Sequence, residues 1–204
     1  NLRTWHGGVI VDEFADVITP PVGHGSMPAP GKLEAVRAFI NTADLEAGTD
    51  EIGSPSALAA WLTRNGLMAR GRRVTSQDLA MALELREALR DLIEGNAGRP
   101  VPADATVRLD RIAASVPLRL SFAGGIHMEP EPVGGAPALG RLLAAVHEAA
   151  ADGSWSRLKV CGNDECRWAF YDTSRNRSGA WCTMAICGNR MKGRAFRRRL
   201  RAEA

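Results

Sequence analysis

Apolar residues along this chain recur first at helical spacing, then in alternation, then at helical spacing again. Leu33 to Ile40 carries a partly apolar face. Ser54 followed by Pro55 predicts a helix start: a hydroxyl to cap free amides, then a proline whose missing N–H is not needed. That helix runs to about Asn65, where Gly66 can take the left-handed stop conformation. Thr75 begins the strongest helix, with Asp78 in its first turn at the positive end of the dipole. Leu79, Leu83, Leu89, Leu92 and Ile93 supply its apolar face, and Gly95 ends it. Ala103 to Ser115 reads as a further helix. Leu118 to Phe122 and Ile126 to Glu131, joined through Gly124 and Gly125, predict two short strands. Leu139, Leu142, Leu143 and Val146 mark a helix from about Pro137 to Ala151. Ahead of these elements, Val9 to Val11 is a candidate strand and Pro20 to Pro30 reads as loop. No repeat of fixed period is visible. The pattern predicts one helix-rich α+β domain with a short β-hairpin over residues 1–154.

The net charge of +3 changes that picture only when divided along the chain. Residues 1–154 carry 14 Lys and Arg against 19 Asp and Glu, whereas residues 155–204 carry 12 against 4. Such asymmetry points to a nucleic-acid-binding part beside one employed differently. No apolar run reaches the roughly 18 residues of a membrane helix. Asn1 to Val11 lacks the apolar core of a secretory signal, so a soluble cytoplasmic protein is expected.

All four cysteines lie in the basic part, as two pairs with equal gaps: Cys161 and Cys166, then Cys182 and Cys187. Thiolates are soft ligands, and four of them close the tetrahedral shell of a structural zinc. An iron–sulfur cluster accepts the same donors. Disulfides need an oxidising compartment, for which nothing in the sequence speaks. One structural zinc per chain is the expectation, with all four positions filled and none open for a reactive water. Arg167 to Tyr171 alternates as a strand does, and Asp172 to Gly179 is a polar turn returning to Trp181 and Cys182. After Cys187 comes a basic helix. A knuckle, a hairpin and a helix with a ligand near its start is the layout of a treble-clef finger. A module this small depends on metal for much of its folding free energy.

These residues carry a resemblance. Cys161 to Cys166, Trp168-Ala169-Phe170-Tyr171-Asp172, Ser174-Arg175-Asn176, Trp181-Cys182-Thr183-Met184 and Cys187-Gly188-Asn189-Arg190 resemble the CGNR zinc finger. Phe39-Ile40-Asn41-Thr42, Ser54-Pro55 with Trp61-Leu62, and Leu85 to Leu89 resemble the ABATE domain that precedes it, a family described as putative stress-induced transcription regulators. Together the resemblance covers about residues 33–200. One departure stands out: where the finger family shows two consecutive arginines, this chain has Gly179 and Ala180.

On the terminal helix, Arg190, Arg194, Arg197 and Arg201 fall on one face, with Arg198 beside it and Lys192 and Arg199 elsewhere. Met191, Ala195, Phe196 and Leu200 lie on other faces and are expected to pack on the finger. Arginine suits phosphate and guanine edges through its planar fork. The leading expectation is a DNA-binding transcription regulator contacting duplex DNA through Arg175, Arg177, Asn189, Arg190, Lys192, Arg194, Arg197, Arg198 and Arg201. The alternative is a protein-interaction adaptor whose zinc module binds an acidic partner, or an RNA-binding variant of the lead. An enzyme is not expected. His6, His24, His127 and His147 show no mutual ligand spacing, and no phosphate loop or nucleophile elbow is present. His147, within an apolar helix, reads as a satisfied structural residue. Asn41, Trp61 and Arg86 are candidates for a small-molecule effector pocket in the first domain, with buried hydrogen bonding and core packing as their other reading.

Overall fold

The computed structural model describes residues 27–123, 125–130 and 137–202. The strand expected at Val9 to Val11, most of the loop at Pro20 to Pro30, and Glu131 lie outside them.

Helix α1 (Leu33–Ile40) is the centre of the molecule, and all eight of its residues are buried. The sequence showed only a partly apolar face, because Glu34 and Arg37 occupy the rest. These two charges are buried as a pair, Arg37 donating to both Glu34 oxygens at 2.5 and 2.8 Å, and Glu34 also accepts the Ala29 amide at 2.6 Å. A short antiparallel pair follows, β1 (Ala43–Asp44) with β2 (Thr49–Asp50), which periodicity could not reveal in two-residue strands. Helix α2 (Pro55–Arg64) starts as predicted, with the Ser54 hydroxyl accepting the Ala57 amide at 3.2 Å, and Gly66 behind it has φ +67°. Helix α3 (Ser76–Leu92) opens on a reciprocal capping box between Thr75 and Asp78. It ends earlier than expected: Gly95 begins a 3-10 turn, Gly95–Ala97, and Gly98 takes the left-handed conformation instead.

Helix α4 (Ala103–Ser115) packs along α3, followed by the hairpin of β3 (Leu118–Ser121) and β4 (His127–Pro130) in the register Leu118 to Pro130 and Ser121 to His127. In this hairpin Leu120, Phe122 and Ile126 are exposed and Ser121 is buried. Helix α5 (Pro137–Asp152) crosses both α1 and β4. At that crossing Gly140 admits close approach, because a Cβ there would stand 2.6 Å from Pro130 Cβ and 3.0 Å from Val116 Cγ1. His147 is exposed on α5. The expected structural role for it is therefore corrected: its face of the helix points to solvent.

The last sheet pairs β5 (Leu158–Val160) with β6 (Ala169–Tyr171), antiparallel, Val160 opposite Ala169. Leu158, Val160 and Ala169 belong to the main apolar core with Phe39, Ile40, Leu85 and Leu142. The C-terminal module thus shares the apolar core of the preceding helices. Its first hairpin fills the groove beside α1, because buried strand residues need a second apolar layer. A short π turn, Met184–Gly188, then leads into α6 (Asn189–Ala202). No helix among the described residues is long and apolar enough to cross a membrane.

Candidate metal centre and basic helix

Cys161 follows β5 directly, and its amide donates to the Trp168 carbonyl at 2.9 Å, closing a tight loop. Inside that loop the amides of Cys166 and Arg167 both donate to the Asn163 carbonyl, at 2.9 and 3.0 Å. Arg167 has φ +45°, an uncommon conformation for a residue with a side chain. It is held from three sides: its guanidinium meets Asp91 at 2.9 Å and Glu94 at 3.2 Å, and its carbonyl accepts from Arg90 at 2.9 Å. Cys187 sits in the widened π turn that opens α6, a kind of helix defect found often at functional sites.

The four sulfurs lie within 4.8 Å of one another, and all four residues are buried. Cys166 and Cys182 sulfurs are 3.8 Å apart, and Cys182 and Cys187 sulfurs 3.6 Å. A tetrahedral zinc with arms of about 2.3 Å requires sulfur edges of about 3.8 Å. The separations therefore match a tetrahedral shell and exceed a disulfide bond of about 2.05 Å. Electrostatics favours a cation at the centre. Hydrogen bonds from Cys166 and Cys182 draw the Cys161 thiol down to about 2. Cys166 is pushed above its ordinary range by its hydrogen bond to Cys161, and Cys182 by those to Cys161 and Cys166, with burial adding to both. Gathered, buried thiols resist ionising together, whereas a divalent ion at the centre stabilises several thiolates at once. The sequence did not single out Asn163. It is fully buried, supplies the knuckle carbonyl, and points its amide at the Cys187 sulfur 3.8 Å away. A polar residue enclosed between two paired cysteines was the available signal.

Lys159 and Asp172 brace the opposite side of the finger. Lys159 Nζ donates to Asp172 Oδ2 at 2.8 Å, and both side chains are nearly inaccessible. Burial pushes the Asp172 carboxyl up, but hydrogen bonds from Lys159, Ser174 and the Gly179 amide outweigh it and hold it at about 2. A Cβ at Gly179 would stand 2.8 Å from that carboxylate. The departure from the paired-arginine pattern thus coincides with a position closed to any side chain, whereas Ala180 is exposed.

The basic residues divide by partner. Arg190 pairs with Glu46 at 2.6 Å and Arg194 with Glu165 at 2.6 Å. Arg177 has φ +51° and donates to Ser156 Oγ at 3.1 Å, while Arg175 is exposed on the same turn. The Asn189 amide donates to the Ala185 carbonyl at 3.2 Å. Lys192, Arg197, Arg198, Arg199 and Arg201 are exposed and meet no carboxylate among the described residues. Phe196 and Leu200 do not pack on the finger as expected: they are 55% and 52% exposed, one turn apart along α6. Met191 and Ala195 are half-buried on the other side.

The three candidate effector residues do not form a pocket. The Asn41 side chain accepts the Ala169 amide and donates to the Ala169 carbonyl, both at 2.8 Å. Trp61 is buried against Phe39, with ring centres 5.6 Å apart. Arg86 is buried and forks onto Asp50 at 2.8 and 2.9 Å, with a third bond to Thr42 at 3.2 Å. Each is committed to internal contacts, and that local use corrects the pocket reading.

A helix-rich α+β domain continued into four gathered thiolates and a basic helix defines an α+β protein with a C-terminal zinc finger. Residues 157–200 match the CGNR zinc finger, and residues 33–153 match ABATE, described as "Putative stress-induced transcription regulator". The chain belongs to the ABATE family, with a CGNR zinc finger at its C-terminal end. No curated protein matches it in sequence.

Proposed function

We propose that the protein is a transcription regulator, not an enzyme, that holds one zinc ion through Cys161, Cys166, Cys182 and Cys187 and binds duplex DNA through α6. The finger follows a treble-clef plan, with the knuckle and the helix start each supplying two ligands. The zinc is structural: its four thiolates leave no open position, and it fastens the start of α6 to the β5–β6 hairpin. Residues 155–204 serve as the DNA-binding part and the preceding domain as the regulatory part.

The observation that carries this reading is the row of basic side chains without carboxylate partners on α6. Pairing with Glu46 and Glu165 occupies Arg190 and Arg194, so Lys192, Arg197, Arg198 and Arg201 provide the principal phosphate contacts, with Arg175 and Arg177 on the neighbouring turn. Phosphate contacts supply affinity that is independent of sequence and falls with salt. The test is anisotropy titration of a labelled duplex across a salt series, with zinc-replete protein. Removing Arg197, Arg198 and Arg201 together should weaken binding and flatten the slope of log affinity against log salt by about 0.9 for each phosphate no longer neutralised. Ala180→Arg should steepen it, whereas Gly179→Arg should impair the fold because of the Asp172 carboxylate. Absence of any salt-dependent affinity for duplex DNA removes the proposal.

A second reading, an adaptor for an acidic partner, draws on the exposed Phe196 and Leu200 beside the arginines. Apolar side chains flanked by unpaired cations suit an acidic amphipathic segment as well as a nucleic acid. In that case Phe196→Ala would abolish partner binding while duplex affinity stayed undetectable. RNA in place of duplex DNA is read out in the same titrations.

A further inference from the structure

Away from the finger, α2, the segment after it and the start of α5 enclose a cavity of about 520 Å³. That volume falls within the roughly 300–1,000 Å³ usual for small-ligand sites. Leu58 and Leu62 of α2, Met68 and Leu139 give it an apolar floor. Its charge is one-sided. Arg72, Arg73, Arg119 and Arg141 line it against only Asp78 and Glu129. Both carboxylates are already engaged: Asp78 accepts the Thr75 amide and hydroxyl at 2.8 and 2.7 Å, and Glu129 pairs with Arg119 at 2.5 Å. Arg141 donates to the Leu67 carbonyl at 2.5 Å. Arg72 and Arg73 are exposed, and their guanidinium groups have no hydrogen bond or ion pair among the described residues. Pro137 and Ala138, the first residues of α5, form part of the wall, so the positive end of a sixteen-residue helix lies at the cavity.

We propose that this cavity binds a small organic carboxylate with an apolar body, its acid group held by Arg72 and Arg73 and its hydrocarbon part on Leu58, Leu62, Met68 and Leu139. Two arginines of one segment, without partners among the described residues and lining the same cavity as an apolar floor, complement a molecule charged at one end only. An apolar compound leaves the arginines unanswered, and a small inorganic anion leaves the floor wet. The assignment deepens the regulatory role proposed for the first domain by giving its ligand a chemistry and a place. It stands apart from the residues Asn41, Trp61 and Arg86, which are occupied elsewhere.

The test is calorimetric titration of the full chain, without DNA, using 4-phenylbutyrate, 4-phenylbutan-1-ol and inorganic phosphate as probes. The carboxylate should bind saturably, and the alcohol and phosphate roughly tenfold more weakly or not at all, given the strength of charge-assisted hydrogen bonds. The double variant R72A/R73A should lose a similar factor while melting like the parent, since both side chains are exposed. Met68→Trp, which fills the floor, should abolish binding of the carboxylate. The Met68 methyl resonance should shift with the carboxylate in the parent and stay still in R72A/R73A. Equal binding of acid and alcohol, undiminished binding to R72A/R73A, or no saturable binding of the carboxylate at millimolar concentration overturns the proposal. Because no DNA is present, its failure and the failure of the DNA-binding reading are separate results.

Discussion

Replacing Asn41 by Ala tests how the finger is joined to the rest of the molecule. Asn41 caps α1 and is only 2% exposed, and its amide pairs with both backbone groups of the fully buried Ala169 in β6. The side chain thereby acts as one more rung of the β5–β6 sheet, reaching across 128 residues of sequence. Truncation to Ala leaves the Ala169 N–H and C=O unpaired in a site with little access to water. Each buried unsatisfied group costs about 1–3 kcal/mol, so the loss should be about 2–6 kcal/mol. For a chain of this size each kcal/mol moves the melting temperature by about 2–4 °C, and a drop of roughly 5–20 °C is expected. The assay is thermal and urea unfolding of zinc-replete protein, followed by far-UV circular dichroism. Asn41→Asp should also destabilise at neutral pH, because a carboxylate accepts the Ala169 amide but faces its carbonyl without a proton to donate. A loss below about 1 kcal/mol for Asn41→Ala would show that Ala169 finds other partners, and the backbone-bridge argument would fail.

Three further outcomes follow from the same geometry. The Asp172 carboxyl, held at about 2, contributes stability that is present above the unfolded value of about 3.9 and disappears as pH falls toward 2; Asp172→Asn should be less stable at pH 7 and lose less between pH 4 and 2, as measured by urea midpoints. Gly140→Ala gains up to about 1 kcal/mol of helix propensity, but the overpacked contact with Pro130 costs about 1–3, so a net loss of up to about 2 kcal/mol is expected. Chelation under reducing conditions should expose the four thiols to a colorimetric reagent and release the π turn and α6, while backbone resonances of Leu158, Val160 and Ala169 persist; loss of the whole spectrum together would show that the hairpin's place in the main core does not sustain it without metal.

What the sequence determined alone was local. Ser54 with Pro55, and Thr75 with Asp78, start helices because the capping atoms lie within three residues of the amides they satisfy. The paired cysteines were legible for a similar reason: matched short gaps bring two thiols to one side of a tight turn, and the finger's charge excess is a property of composition. Only the tertiary structure decided how charged and polar residues were spent. Arg90 reads as another helical cation, yet its side chain is fully buried, donating to the carbonyls of Ile40 at 2.6 Å and Arg167 at 2.9 Å as well as to Glu87 at 3.0 Å. Asn41 and Arg86 looked like candidates for a ligand and instead satisfy the protein's own backbone and Asp50. Carbonyl acceptors are the same at every position, so no pattern of side chains announces which of them will be left over at a helix end or a strand edge. The same limit governed α6, where helical spacing placed Phe196 and Leu200 on one strip. Whether that strip met protein or water depended on where the π turn at Cys187 aimed the helix, and it aimed Phe196 and Leu200 toward water.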